Sequence, residues 1–196
     1  MQDAVNLGWK LAAVASGRAG PTLLATYESE RRPVAERLVM HSRAQLALFR
    51  PGPEVTALRE LFSELVTDPS TIRRLSDLLS GAETRYATRP DAHPLVGCWV
   101  PDFAVIDASG TRRIAELARD GHPLLVDLTG GGEVAGALAD EDDRLTVVVG
   151  RPVGEVSATA VLVRPDGFVA WASSRPQPDA DGSSELRSAL MQWFGV

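Results

Sequence analysis

The segment Thr129-Gly130-Gly131-Gly132-Glu133-Val134-Ala135-Gly136 follows the apolar run Pro123-Leu124-Leu125-Val126-Asp127-Leu128, and it is the first place to look for chemistry. A glycine corner between a buried strand and a helix gathers free backbone N–H groups, and the helix dipole there favours an anion. Dithiol oxidoreductases carry Cys-x-x-Cys at such a corner, where the helix start stabilises a thiolate. Neither cysteine is present, so dithiol exchange is excluded. A phosphate loop ends in Gly-Lys-Ser/Thr. That ending is missing, and Lys10 is the only lysine in the chain. The corner reads as a turn.

The remaining reactive residue types are scattered. Cys98, the only cysteine, lies in Gly97-Cys98-Trp99-Val100 ahead of the first predicted strand. Peroxidatic thiols sit later, at a helix start, so Cys98 reads as partly buried apolar filler. His41, His93 and His122 have no cysteine or carboxylate at ligand spacing. The acidic run Asp140-Glu141-Asp142-Asp143 lacks the glycine and closing glutamate of a calcium loop and reads as a solvated turn. No serine sits in G-x-S-x-G, and no G-x-G-x-x-G follows a strand. The sequence therefore assigns no catalytic, cofactor-binding or metal-ligating residue. Trp9, Trp99, Trp171 and Trp193 read as core or interface anchors.

Two textures position these residues. Residues 2–16 place Ala4, Val5, Gly8, Leu11, Ala12 and Ala15 at spacings of three and four, which predicts a helix with one buried stripe. Gly17 stops it. A second helix is predicted over 22–49, bent or broken at Pro33, and shorter ones over 54–66 and 69–81, the last capped by Asp68 and stopped by Gly81. After a polar stretch over 81–94 the pattern changes. It predicts a strand and turn (102–110), a short helix (112–123), a buried strand (123–128) and a helix (133–143). A fully buried strand (145–150) follows, then a hairpin turning at Pro165-Asp166-Gly167 (158–173) and a closing helix capped by Ser183 or Ser184. The order is that of a small α/β sandwich behind a helical segment, with the boundary between residues 84 and 85.

The chain's bounds narrow its partners. With 196 residues, 44% hydrophobic and 23% charged, it is long enough to bury a core. A net charge of -6 gives no reason to expect nucleic acid or an anionic membrane. No apolar run approaches the roughly 20 residues that span a bilayer, and the first residues lack the pattern of a secretion signal. One cysteine fits a reducing cytoplasm.

Met1-Gln2-Asp3-Ala4, with Asn6-Leu7-Gly8-Trp9-Lys10-Leu11-Ala12, resembles the helix that ends the flavin-binding domain of class A FAD-dependent aromatic hydroxylases. These are p-hydroxybenzoate hydroxylase-like monooxygenases, and the similarity is to the branch that tailors aromatic polyketide antibiotics and rifamycins. Leu23-Leu24, Tyr27-Glu28 and Glu30-Arg31-Arg32-Pro33-Val34-Ala35 are similar to the family's next helix. His93-Pro94-Leu95-Val96-Gly97, Pro101-Asp102, Leu125-Val126-Asp127-Leu128-Thr129-Gly130 and Val163-Arg164-Pro165-Asp166-Gly167-Phe168-Val169-Ala170-Trp171 resemble its C-terminal domain. The resemblance implies a helical segment over 1–84 and a thioredoxin-like α/β sandwich lacking Cys-x-x-Cys over 85–196. It implies FAD and NAD(P)H for the full-length family, with neither bound by this chain alone, whose dinucleotide-binding and substrate regions are expected elsewhere. A homodimer or a complementary flavin-binding chain is the expected partner.

Overall fold

The computed structural model describes residues 1–138, 145–175, 177 and 180–195. Four helices come first: α1 (Gln2–Ala15), α2 (Thr22–Leu48), α3 (Pro53–Leu65) and α4 (Pro69–Ser80). A hairpin follows, β1 (Ala104–Asp107) and β2 (Gly110–Arg113), then the single-turn α5 (Ile114–Leu117) and β3 (Leu124–Asp127). After β4 (Thr146–Val149), β5 (Arg151–Val153), β6 (Ala160–Val163) and β7 (Val169–Ser173), α6 (Ala180–Phe194) closes the chain.

Two compact units result, Met1–Tyr27 with Arg85–Val196, and Glu28–Thr84. The sequence boundary between 84 and 85 is one edge of this division, but α1 belongs with the C-terminal part. Polar docking, described below, is the reason.

The first unit is built on a four-stranded sheet of order β4-β3-β6-β7. β3 runs parallel to β4 and antiparallel to β6, and β6 pairs antiparallel with β7. A parallel pair, an antiparallel pair and a closing helix make the thioredoxin-like arrangement. Side chains alternate across a strand, and β3 and β6 use both faces. Leu124, Val126, Val161 and Val163 pack on one side with Val105 and Ile114. Leu125, Ala160 and Leu162 pack on the other with Leu186, Leu190 and Phe194 of α6. A second sheet, β2-β1-β5, flanks this core.

Several expectations are corrected. β4 was expected to be fully buried, but it is an edge strand in which only Val148 is buried. The predicted helix over 112–123 shrinks to α5. Arg112 and Arg113 pair with Val105 and Ala104 across the β1–β2 hairpin, and the Arg113 amide donates to Glu116 at 2.8 Å, starting the helix one residue later. β5 carried no strand signal and forms by antiparallel pairing with β1. Of the helix expected over 133–143, the described part is one 3-10 turn, Ala135–Ala137; the acidic run over 139–144 lies outside the described residues. Ser183 and Ser184 fall inside α6 rather than capping it. α2 continues through Pro33 without a break, its adjacent turns joined by Arg32, which pairs with Glu28 at 3.2 Å and Glu36 at 3.1 Å.

The second unit holds the rest of α2 with α3 and α4. Asp68 caps α4 by accepting the Thr71 amide at 2.9 Å, and Gly81 ends it in the left-handed region at φ 76°. α3 buries no residue, and Leu58, Leu61, Phe62 and Leu65 form an exposed apolar stripe along it.

Candidate functional site

The glycine corner after β3 is closed by its own chain. Asp127 is fully buried. One oxygen accepts the Val134 and Ala135 amides, both at 2.8 Å, and the other accepts the Thr129 amide at 3.0 Å and the Thr129 hydroxyl. The N–H groups that would face a phosphate or thiolate are thus occupied by a carboxylate. The corner is a turn, and it does not fit the phosphates of a dinucleotide.

Cys98 is half-buried, with Sγ 3.6 Å from the Pro94 carbonyl. His93 lies near a serine: Nε2 is 2.9 Å from Ser174 Oγ and 3.3 Å from the Ser157 carbonyl. This is no nucleophile–base pair. Nδ1 accepts the Leu95 amide at 3.2 Å, which leaves the proton on Nε2, and the Ser174 hydroxyl donates to Ser157 at 2.8 Å. A base for serine needs a free lone pair at Nε2. Among the described residues no group of three or more His, Cys, Asp or Glu could hold a metal ion.

The polar chemistry is concentrated instead where β6 turns into β7. Pro165 and Asp166 occupy the turn, closed by the Gly167 amide donating to Arg164 O at 2.9 Å and the Arg164 amide donating to Phe168 O at 2.8 Å. Gly167 has φ 82°, and a Cβ there would also meet the Trp99 ring at 3.2 Å. Proline followed by a left-handed glycine is what this turn requires.

That geometry aims Asp166 inward, where the residue is 4% exposed. Oδ1 accepts Arg164 Nε at 3.0 Å and the Phe168 amide at 3.4 Å. Oδ2 accepts Arg164 Nη2 at 2.5 Å, Asn6 Nδ2 at 3.1 Å and Trp9 Nε1 at 3.0 Å. Asn6 Nδ2 also reaches the Tyr86 hydroxyl at 3.2 Å. A buried carboxylate with this many donors, one an arginine, is fully compensated; removing one member of such an ion pair costs about 3–5 kcal/mol.

Aromatic rings enclose the arginine. Arg164 Cζ lies 4.4 Å from the Trp193 ring centre, 5.3 Å from Tyr86, 5.4 Å from Trp9 and 5.7 Å from Phe168. Tyr86 and Phe168 stack at 4.2 Å. Trp9 meets Trp193 at 6.5 Å and Phe194 at 6.1 Å, so the last turn of α6 forms the other wall of the socket.

The stripe read as buried in α1 faces outward: Ala4, Val5, Gly8, Leu11, Ala12 and Ala15 are all exposed in this chain. The buried residues of α1 are Asn6 and Lys10, with Trp9 between them on the same face. Sequence reasoning missed Asn6, Lys10, Arg164 and Asp166 as a set. The available signal was Asn6-x-x-Trp9-Lys10, three polar-tipped residues at i, i+3 and i+4, paired with a charged turn between two apolar strands.

Fold and site together define a thioredoxin-like α/β unit whose redox corner is closed and whose polar interior holds a helix. The family model described as aromatic-ring hydroxylase, C-terminal, matches residues 93–196, and the model for an FAD binding domain matches residues 1–42. The chain belongs to the aromatic-ring hydroxylase family. A 12-dehydrotetracycline 5-monooxygenase/anhydrotetracycline 6-monooxygenase of Streptomyces rimosus is 40% identical over 99% of this chain and 39% of its own length. A rifampicin monooxygenase of Streptomyces venezuelae is 38% identical over 100% of this chain and 38% of its own. The solved structure of the anhydrotetracycline hydroxylase OxyS from Streptomyces rimosus superposes with a TM-score of 0.87 at 40% identity, covering 100% of this chain and 40% of that one. The chain thus spans about two fifths of the length of the relatives it matches. No helix among the described residues is long and apolar enough to cross a membrane.

Proposed function

We propose that this chain is the C-terminal part of an FAD-dependent aromatic-ring monooxygenase that tailors a polyketide-type antibiotic scaffold in the cytoplasm. FAD and NAD(P)H serve the whole protein, and this chain binds neither alone. One observation carries the reading: α1 lies within the residues that match an FAD-binding domain, yet its apolar stripe is uncovered. Val5 is 46% and Leu11 47% exposed, and a helix stripe of this kind is stable in water only against a partner surface. The flavin-binding part is the partner whose fold that helix would complete. The second reading is a non-redox thioredoxin-like interaction module of secondary-metabolite biosynthesis that works as a homodimer, supported by the exposed stripe of α3.

Two experiments test this. FAD titrated into the purified chain is expected to show no binding at micromolar concentration. Co-expressed with the flavin-binding segment of the Streptomyces rimosus tetracycline monooxygenase, the chain is expected to co-purify as a yellow complex. Stoichiometric FAD on the chain alone, or no complex with the segment, overturns the reading. Light scattering of the chain alone gives a monomer mass if the flavin-binding part is the partner and a concentration-independent dimer if the second reading holds.

A further inference from the structure

We propose that Asp166 is a positioning residue for α1: through Asn6 and Trp9 it sets which face of that helix turns inward. It thereby presents Ala4, Val5, Gly8, Leu11 and Ala12 outward. The nature of what meets that outer face rests on the function proposed above; the docking itself does not.

Three features carry this. First, the burial of α1 is inverted. Apolar surface alone would turn Val5 and Leu11 inward, whereas Asn6 and Lys10 are the residues at 1% and 0% exposure. Polar contacts therefore take part in holding the helix in that rotation, and Asp166 is a buried carboxylate that receives two of them. Second, the attachment is indexed to the helix turn. Asn6 and Trp9 stand at i and i+3 and both donate to the same oxygen; turning the helix by one residue, about 100°, removes both donors. Third, the carboxylate cannot follow a shifting helix. Arg164 grips both its oxygens and is itself wedged among rings from α1, α6 and the β7 side. The closed Asp127 corner leaves the redox position of this fold without a task, while the β6–β7 turn, at another place in the sheet, holds the helix.

The test removes the α1 donors in the full chain. Asn6→Asp replaces the donor with a second carboxylate. Asn6→Leu removes the donor and puts apolar surface on the same face. The readout is backbone amide exchange in α1 compared with β3 and β6. Both are expected to speed exchange across α1, Asn6→Asp at least tenfold, while β3 and β6 stay within twofold. Trp9→Phe keeps a ring and removes the other donor, with an intermediate effect expected. Should Asn6→Asp fail to fold, Asn6→Leu and Trp9→Phe still decide, because neither adds a charge. Unchanged exchange in the α1 variants overturns the proposal, as does an Asn6→Leu variant as protected as the parent, which would make apolar burial alone sufficient. In the yellow complex described above, Asn6→Asp is expected to raise the FAD dissociation constant about tenfold and Asn6→Leu to raise it less. An unchanged constant overturns the flavin-side consequence. A wild-type complex that never forms overturns the proposed function instead and leaves the exchange result standing.

Discussion

Asp127 and Asp166 are both buried carboxylates in one unit, and their donors separate their roles. Asp127 takes backbone amides of its own loop. Asp127→Asn turns an N–H toward those amides whichever way the new side chain is flipped, so a loss of about 1–3 kcal/mol is expected in urea denaturation. Carboxylates paired with arginines contribute to the acid response. Asp107 is held below the ordinary carboxylate range chiefly by the Arg112 guanidinium, then by the Ser109 amide. Asp102 is held there chiefly by Arg113. A carboxyl lowered in the folded state adds stability above its unfolded value of about 4, and that stability is lost as pH falls through the lower folded value. Asp107→Asn is therefore expected to melt below the parent at pH 7, with the gap closing as pH drops beneath 4. What the glycine corner lacks, a Cys-x-x-Cys pair and a phosphate-loop lysine, was legible in the sequence. The Asp166 cluster was not. Asn6 and Asp166 are separated by 160 positions, and nothing in either local pattern says that a turn and a helix meet.

Element identity was legible wherever one pattern dominated. β3 and β6 are buried throughout and read as continuous apolar runs, and the Asp68 and Gly81 signals mark the ends of α4 where expected. Elements defined by pairing were not legible. β2 is Gly-Thr-Arg-Arg and β5 is Arg-Pro-Val, strands only because β1 lies between them. Gly97 shows how a single residue holds such pairing. Its carbonyl accepts the Tyr86 amide and its own amide donates to Val169, both at 2.9 Å. A Cβ on Gly97, at φ 78°, would meet Tyr86 O at 2.6 Å. Gly97→Ala is expected to lower stability by more than about 2 kcal/mol in thermal melts, since backbone strain and displacement of the stacked Tyr86 add together.

On the scale of the whole molecule, α1 has a docked inner face and an exposed outer face. Gly8 has nothing within 4 Å of where a Cβ would sit. In this chain alone, Gly8→Ala is expected to stabilise the helix by about 0.5–1 kcal/mol, read from the thermal midpoint. A bulky residue there, Gly8→Trp, is expected to leave the chain folded and to block co-purification with the flavin-binding segment. Opposite outcomes for two substitutions at one position would separate the helix's intrinsic preference from what its outer face must admit. Nothing in the sequence pattern tells the two faces apart, because a stripe says that a surface is apolar and not whether this chain covers it.

The ring cage around Arg164 has an optical consequence. Trp9 and Trp193 both flank one guanidinium, and the Trp9 indole N–H is tied to a carboxylate. Their emission therefore reports, without any label, whether the first helix is seated. Release into solvent should shift the emission to longer wavelength, so undocking of the first helix in the Asn6 variants could be followed in real time by light that the chain itself emits.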